Sequence, residues 1–167
     1  LKMGAPILFH QLRPGLHGEI FQMVKLRTML DAKDADGNPL PDAQRMTKLG
    51  SILRSSSIDE FPALWNVIKG DMSLVGPRPL PISYHALFSD RQFTRHAMRP
   101  GITGWAQING RNDVTWPQKL EMDVWYVENH TYFLDLKIML STVAKLVNYG
   151  EIAKTADTPM PPFKGEQ

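Results

Sequence analysis

The spacing of apolar positions changes several times along the chain, and each change predicts an element. Ile7-Leu8-Phe9-His10-Gln11-Leu12 and Ile20-Phe21-Gln22-Met23-Val24-Lys25-Leu26 flank Arg13-Pro14-Gly15-Leu16-His17-Gly18. This predicts a β-hairpin within 6–29, with Pro14-Gly15 giving the fixed φ and the positive-φ position of a type II turn. Residues 31–42 are polar and contain Asp36-Gly37-Asn38-Pro39, a surface loop. Helical spacing then takes over. A short amphipathic helix is expected over 45–54, with Met46, Leu49 and Leu53 on one side. Phe61, Leu64, Trp65 and Ile68 mark another, closed by Gly70. One or two more helices are expected in 81–98, then a turn and a strand or loop through 99–107. Trp116-Pro117 opens a helix through Leu120, Val124 and Val127. Tyr132 to Val147 is strongly apolar and helical, and 156–167, with Pro159, Pro161 and Pro162, is expected to be a loose tail. Short strands among at least four helices give an α+β fold, an N-terminal hairpin with several short amphipathic helices.

Composition narrows the classes. With 167 residues and 43% apolar content the chain is a single domain with a core, not a disordered segment. It contains no cysteine, which removes disulfides and thiolate metal sites. The net charge of +2 gives no ground for expecting nucleic acid as a partner. No apolar run approaches the roughly 20 residues that span a bilayer. The helix at 132–147 is too short and too charged to cross, and either a core helix or one lying among headgroups fits it. No glycine-rich phosphate loop of the dinucleotide or Walker type is present. Asp34 and Asp36 before Gly37 suggest a calcium loop, but that register puts Ala32 and Ala43 where ligands belong, so calcium is rejected. The five histidines show no zinc-ligand spacing.

The chemistry concentrates in Ser56-Ser57-Ile58-Asp59-Glu60-Phe61-Pro62 and Gly70-Asp71-Met72-Ser73-Leu74-Val75-Gly76-Pro77-Arg78-Pro79. Two adjacent carboxylates stand where a helix begins, a position that favours negative charge and also suits phosphate. Ser57 as N-cap and Glu60 three residues later fit a capping box, which by itself asks for no chemistry. Capping by Glu60 leaves Asp59 pointing off the helix end, with a lowered pKa and available as a nucleophile. Two prolines around Arg78 limit where its planar fork can swing, and that fork matches phosphate oxygens. Arg13, Arg78, Arg99 and Arg111 all stand beside glycine or turn residues, which fix position. Asp123 lies among aromatics and reads as a helix-surface acid or as a group orienting a ligand or a basic partner.

Taken together, Lys25-Leu26-Arg27-Thr28-Met29, Ser57-Ile58-Asp59-Glu60, Asn66-Val67-Ile68-Lys69-Gly70-Asp71-Met72-Ser73, Gly76-Pro77-Arg78-Pro79, Arg99-Pro100-Gly101-Ile102-Thr103-Gly104, Gln107-Ile108-Asn109-Gly110-Arg111 and Asp123 follow one order and spacing. In this the chain resembles the bacterial sugar transferases, the monotopic polyprenyl-phosphate phosphoglycosyl transferases, from residue 6 to about 145. The resemblance implies a membrane-associated catalytic domain over 1–155, followed by the tail at 156–167. It implies transfer of a sugar-1-phosphate from a UDP-sugar to undecaprenyl phosphate, with UMP released, at the cytoplasmic face of the bacterial inner membrane. That step would start assembly of a glycan (glycoprotein, O-antigen, capsule or exopolysaccharide) that downstream glycosyltransferases extend. Mg²⁺ is the implied cofactor, with Asp59 as its protein contact.

Carried over by motif, Asp59 is the nucleophile that becomes a phosphosugar ester, and Glu60 deprotonates or positions the acceptor phosphate. Arg78, with Pro79 beside it, holds the transferring phosphate. Lys25, Gln107, Arg111 and Asp123 contribute to the donor pocket, and Arg54 supports a membrane segment. The family carries an apolar helix upstream of the hairpin that this sequence, opening at Leu1, does not include, so a fragment is expected. Two other functions stay open: a non-catalytic membrane-surface assembly module, and a glycosyltransferase that releases UDP. N-acetylated amino sugars, galactose and glucose are all open as the transferred sugar.

Overall fold

The computed structural model describes residues 4–110, 114–147 and 161–165. Strands β1 (Leu8–Pro14) and β2 (Ile20–Leu26) form the expected antiparallel hairpin, in register from Leu8 opposite Leu26 to Pro14 opposite Ile20. The turn differs from the expected type II. A 3₁₀ turn at Leu16–Gly18 carries the positive φ at His17 (55°) and Gly18 (82°), while Gly15 has φ −108°. Gly15 N–H donates to Glu19 O at 2.7 Å, so the longer connection, not Pro14-Gly15 alone, reverses the chain.

After the polar loop come α1 (Asp42–Arg45) and α2 (Lys48–Ser55). The single helix expected over 45–54 is split because Met46 is extended (ψ 127°) and Thr47 caps a fresh start, its hydroxyl accepting from Gly50 N–H at 2.9 Å. A 3₁₀ helix, Ile58–Ala63, leads into α3 (Leu64–Lys69), which Gly70 ends at φ 86° as its sequence predicts. One side chain ties α3 to the hairpin. Buried Asn66 donates to Gln22 O at 2.8 Å and Asp71 Oδ2 at 3.1 Å, and accepts from Val24 N–H at 3.1 Å.

The chain then makes a sheet that periodicity did not reveal. β3 (Ser73–Val75) pairs in parallel with β4 (Gly101–Thr103), Ser73 opposite Gly101 and Val75 opposite Thr103. Three-residue strands are too short to show alternation, so the spacing leaves strand or loop open within 99–107 and marks no strand at 73–75. Between them lie a 3₁₀ helix (Ile82–Leu87), α4 (Asp90–Phe93) and a second 3₁₀ turn (Thr94–Ala97). A short α5 (Trp105–Asn109) follows β4. The last two helices are α6 (Trp116–Asn129), with a Thr115/Gln118 capping box and Pro117 in its first turn, and α7 (Tyr132–Val147).

The core is three small clusters. Met23, Ala63 and Met72 join the hairpin to the 3₁₀ helix, while Val75, Tyr126 and Ile138 join β3 to α6 and α7. Leu80, Leu120 and Phe163 form the third. That last residue corrects the loose-tail expectation over 161–165. Phe163 is 5% exposed against Tyr84, Phe88 and Trp116, and Trp116 Nε1 donates to Pro161 O at 2.7 Å. An aromatic with an apolar slot to fill outweighs the prolines around it.

Much apolar surface stays outside. Phe61, Trp65 (60%) and Ile68 (75%), which share the helical spacing noted in the sequence, point to solvent beside exposed Ile58 and Leu64. Tyr132, Phe133, Leu136, Leu140 and Val143 are exposed on α7, which buries Ile138 in the core. Among the described residues no helix is long and apolar enough to cross a membrane. The α+β class stands, with its hairpin and short amphipathic helices.

Candidate active site

Asp59 and Glu60 sit in the 3₁₀ helix Ile58–Ala63, entered through Ser57 in the left-handed region (φ 57°, ψ 14°). This corrects the capping-box reading. An N-cap needs an extended backbone, which a left-handed serine lacks, and Ser57 makes no side-chain cap. Glu60 is taken by stronger partners than a backbone amide. Lys25 Nζ donates to its Oε1 at 2.8 Å, Arg78 Nη1 to its Oε2 at 3.3 Å, and Arg78 Nη2 to its Oε1. The glutamate thus becomes a strut joining β2 to the Gly76-Pro77-Arg78-Pro79 loop.

The loop has its own support. Gly76 N–H donates to Thr103 O at 2.9 Å, and Gly101 N–H to Pro77 O at 3.0 Å. The two backbones touch so closely that a Cβ on Gly101 would lie 2.1 Å from Gly76 N, which explains glycine in both motifs. Below, Arg95 Nη2 donates to Arg78 O at 2.6 Å and to Asp123 Oδ2 at 2.7 Å. Asp123 is 2% exposed, and its pair with Arg95 is enclosed.

Burial and neighbours divide the two acids. Burial raises Glu60, but Arg78 and Lys25 overcome it and hold the carboxyl at about 2. Burial and the adjacent Glu60 charge push Asp59 above the usual aspartate range, against the pull of Lys25, Arg54 and Arg78. The order is the reverse of that expected from a helix end. A carboxylate that ionises at about 2 is a poor proton acceptor near neutrality. Glu60 holds the two cations in place, and Asp59 is the carboxyl left without a hydrogen bond among the described residues.

Asp59 is 8% exposed, lines a cavity of about 970 Å³, and accepts no hydrogen bond among the described residues. Lys25, Glu60, Arg78 and Arg54 line the same cavity. Arg54 donates from Nε to Thr28 Oγ1 at 3.0 Å, at the rim of the polar site. Pro79, Gln107 and Asp123 are not on its wall. Pro79 is buried behind Arg78, and Gln107 Nε2 donates to Ile102 O at 3.4 Å under the loop. Asp123 faces Arg95 inside the protein instead of a donor pocket, because a buried guanidinium must have an anion. Arg111 lies outside the described residues. Sequence reading did not assign Arg13, which lines the cavity, or Arg95, which holds the Arg78 carbonyl. The only signal for Arg13 was its place beside Pro14-Gly15, and for Arg95 there was none.

The donor set suits a hard cation brought by a substrate. Among the described residues no three His, Cys, Asp or Glu side chains cluster, so the protein offers no complete cage. Mg²⁺ commonly takes one or two carboxylates together with phosphate oxygens and water, which one unengaged Asp59 fits.

The model of the family described as Bacterial sugar transferase matches residues 1–149. The chain is 53% identical over 165 residues to a Bacillus subtilis protein named uncharacterized sugar transferase EpsL, covering 99% of this chain and 82% of that one. It is 42% identical to the Caulobacter vibrioides UDP-glucose:undecaprenyl-phosphate glucose-1-phosphate transferase, across 88% of this chain and 59% of that protein. It is 35% identical to the Salmonella typhimurium undecaprenyl-phosphate galactose phosphotransferase, across 86% of this chain and 34% of that protein. The chain therefore belongs to the bacterial sugar transferase family and is a transferase.

Proposed function

We propose that this enzyme moves a sugar-1-phosphate from a UDP-sugar to undecaprenyl phosphate and releases UMP, through a covalent intermediate on Asp59. The observation that carries this reading is a buried aspartate without a hydrogen-bond partner among the described residues, on a cavity wall it shares with Lys25 and Arg78. An Asp59 carboxylate oxygen attacks the β-phosphorus of the donor. The bond from that phosphorus to the bridging oxygen breaks, and the oxygen leaves on UMP. An oxygen of the lipid phosphate then attacks the same phosphorus, the Asp59–phosphorus bond breaks, and the carboxylate is regenerated. Lys25 and Arg78, fixed by Glu60, stabilise the negative charge on the phosphoryl oxygens in both displacements. Mg²⁺, held by Asp59 and the diphosphate, would screen the anions from each other.

The second substrate requires a lipid surface. Ile58, Phe61, Leu64, Trp65 and Ile68 flank Asp59 in sequence and are exposed, so seating them among acyl chains would bring the nucleophile to headgroup depth. The enzyme works on this reading as a monotopic protein at the cytoplasmic face of the inner membrane, and its polyprenyl-diphosphate sugar feeds glycan-extending glycosyltransferases. A panel of UDP-sugars incubated with the enzyme and undecaprenyl phosphate tests the reaction. UMP release that is lost in Asp59→Asn supports it, and UDP release would replace it with direct glycosyl transfer.

A further inference from the structure

Arg13 is the next-to-last residue of strand β1 and lines the cavity with Asp59 and Arg78, yet the hydrogen-bond network around Glu60 does not include it. Its Nη2 donates to the neutral Gln11 Oε1 at 2.6 Å, and its Nε is buried with no partner. No carboxylate among the described residues lies within ion-pair distance of it. Burial and the neighbouring Arg78 charge lower its pKa to about 10, partly offset by Glu60 and Tyr84, so it remains a cation near neutrality.

The charge count around the cavity is uneven. Its wall carries six Lys or Arg side chains against four Asp or Glu, and Glu60 is shared between Lys25 and Arg78. A half-buried guanidinium placed against another without an acid of its own is unfavourable unless an anion completes the group. Arg13 shares the cavity wall with Lys25, Asp59, Glu60 and Arg78.

We infer that Arg13 seats a second phosphate, the phosphate monoester on the side of the reacting phosphorus away from Asp59. Resting on the function proposed above, this deepens it. In-line displacement at one phosphorus puts the departing group and the later nucleophile in the same place. Both are phosphate monoesters, UMP in the first step and the lipid phosphate in the second. One fork at Arg13 serves both, while Arg78 and Lys25 hold the phosphoryl group that moves.

The test uses Arg13→Gln and Arg13→Lys in the full chain, with melting temperature and circular dichroism as checks on the fold. UMP binding is measured by calorimetry, and the acceptor KM with undecaprenyl phosphate in mixed micelles. Arg13→Gln is expected to weaken UMP at least tenfold and to raise the acceptor KM by a similar factor, while uridine binding does not change. Arg13→Lys keeps the charge but not the fork, and should lose three- to tenfold. A change confined to UMP assigns the seat to the nucleotide, and one confined to the acceptor assigns it to the lipid; either supports a phosphate seat. Unchanged UMP affinity and unchanged acceptor KM in a folded Arg13→Lys or Arg13→Gln protein overturn the inference, as does wild-type protein that does not bind UMP. Because UMP binding needs no turnover, an Arg13 effect in a protein that released UDP instead would refute the covalent route and leave this seat standing.

Discussion

Two adjacent carboxyls do different work because their neighbours differ. Glu60 is gripped by Lys25 and Arg78, and Asp59 is left without a hydrogen bond among the described residues. Glu60→Gln keeps the shape but removes the charge, so Lys25 and Arg78 lose their shared anion and repel each other. The expected outcome is a fall in kcat of about 10²- to 10³-fold, the scale of a lost preorganised electrostatic contact. A general base would instead leave a pH-rate profile with a missing limb. Profiles of wild type and Glu60→Gln with the same shape at different heights would support the strut; loss of one limb would restore the base. At this scale the sequence identified the residue types and misjudged their electrostatics. The capping box and the helix end are local patterns, whereas Lys25 and Arg78 reach Glu60 from 35 and 18 residues away.

At the scale of elements, the site depends on how the Arg78 loop is held. Arg95 bonds the Arg78 carbonyl and is neutralised by Asp123, so α6 fixes the Arg78 loop without lining the cavity. Asp123→Asn leaves Arg95 buried without its anion and should cost about 3–5 kcal/mol of stability. Below its lowered melting temperature it should also lose kcat more than donor affinity, because Arg78 is displaced. Thermal melts and steady-state kinetics at a temperature where the variant is folded check both. Gly101→Ala is expected to be equally harmful to the loop, since its Cβ would meet Gly76 N at 2.1 Å. Retained kcat in that variant would show that the two backbones need not touch.

His96 gives the same region a pH response. Burial, with Arg95 and His85 nearby, lowers its pKa to about 4 against a weaker pull from the Phe93 backbone, and neither ring nitrogen makes a well-formed hydrogen bond. The unfolded chain binds the proton near pH 6.5, so stability is complete above that value and is lost as pH falls toward 4. The loss is on the order of 3 kcal/mol. His96→Phe, among Phe88 and Phe93, should flatten the fall in melting temperature between pH 6.5 and 4; an unchanged slope would place the proton elsewhere. The hairpin, α3 with its Gly70 stop, α6 and α7 were legible because their periodicity or caps are local. The parallel β3–β4 pair and the Phe163 slot were not, since both depend on partners at least 26 residues away along the chain.

For the whole molecule, the placement of apolar side chains matters more than their number. The stripe containing Phe61, Leu64, Trp65 and Ile68 had the right helical spacing, but periodicity gives a face and not what covers it. In the fold the stripe faces outward beside Asp59, and the core is supplied by three modest clusters instead. Replacing Trp65 and Ile68 together by serine should reduce partition to vesicles made with anionic lipid by at least tenfold and leave the melting temperature within a few degrees, because both residues are exposed. Sedimentation with vesicles reads the first and a thermal melt the second. Unchanged sedimentation would move the lipid contact to another face, such as that of Tyr132 and Phe133 on α7.

On the proposed route, a phosphosugar ester on Asp59 would exist only between the two half-reactions. Intact-protein mass spectrometry after exposure to a UDP-sugar substrate and Mg²⁺, with undecaprenyl phosphate withheld, looks for that bond directly. A mass increase of one sugar phosphate, mapped to Asp59, absent in Asp59→Asn and discharged on adding the lipid phosphate, is the predicted result. Turnover to UMP and polyprenyl-diphosphate sugar by an Asp59→Asn enzyme, with no adduct at any stage, would contradict it.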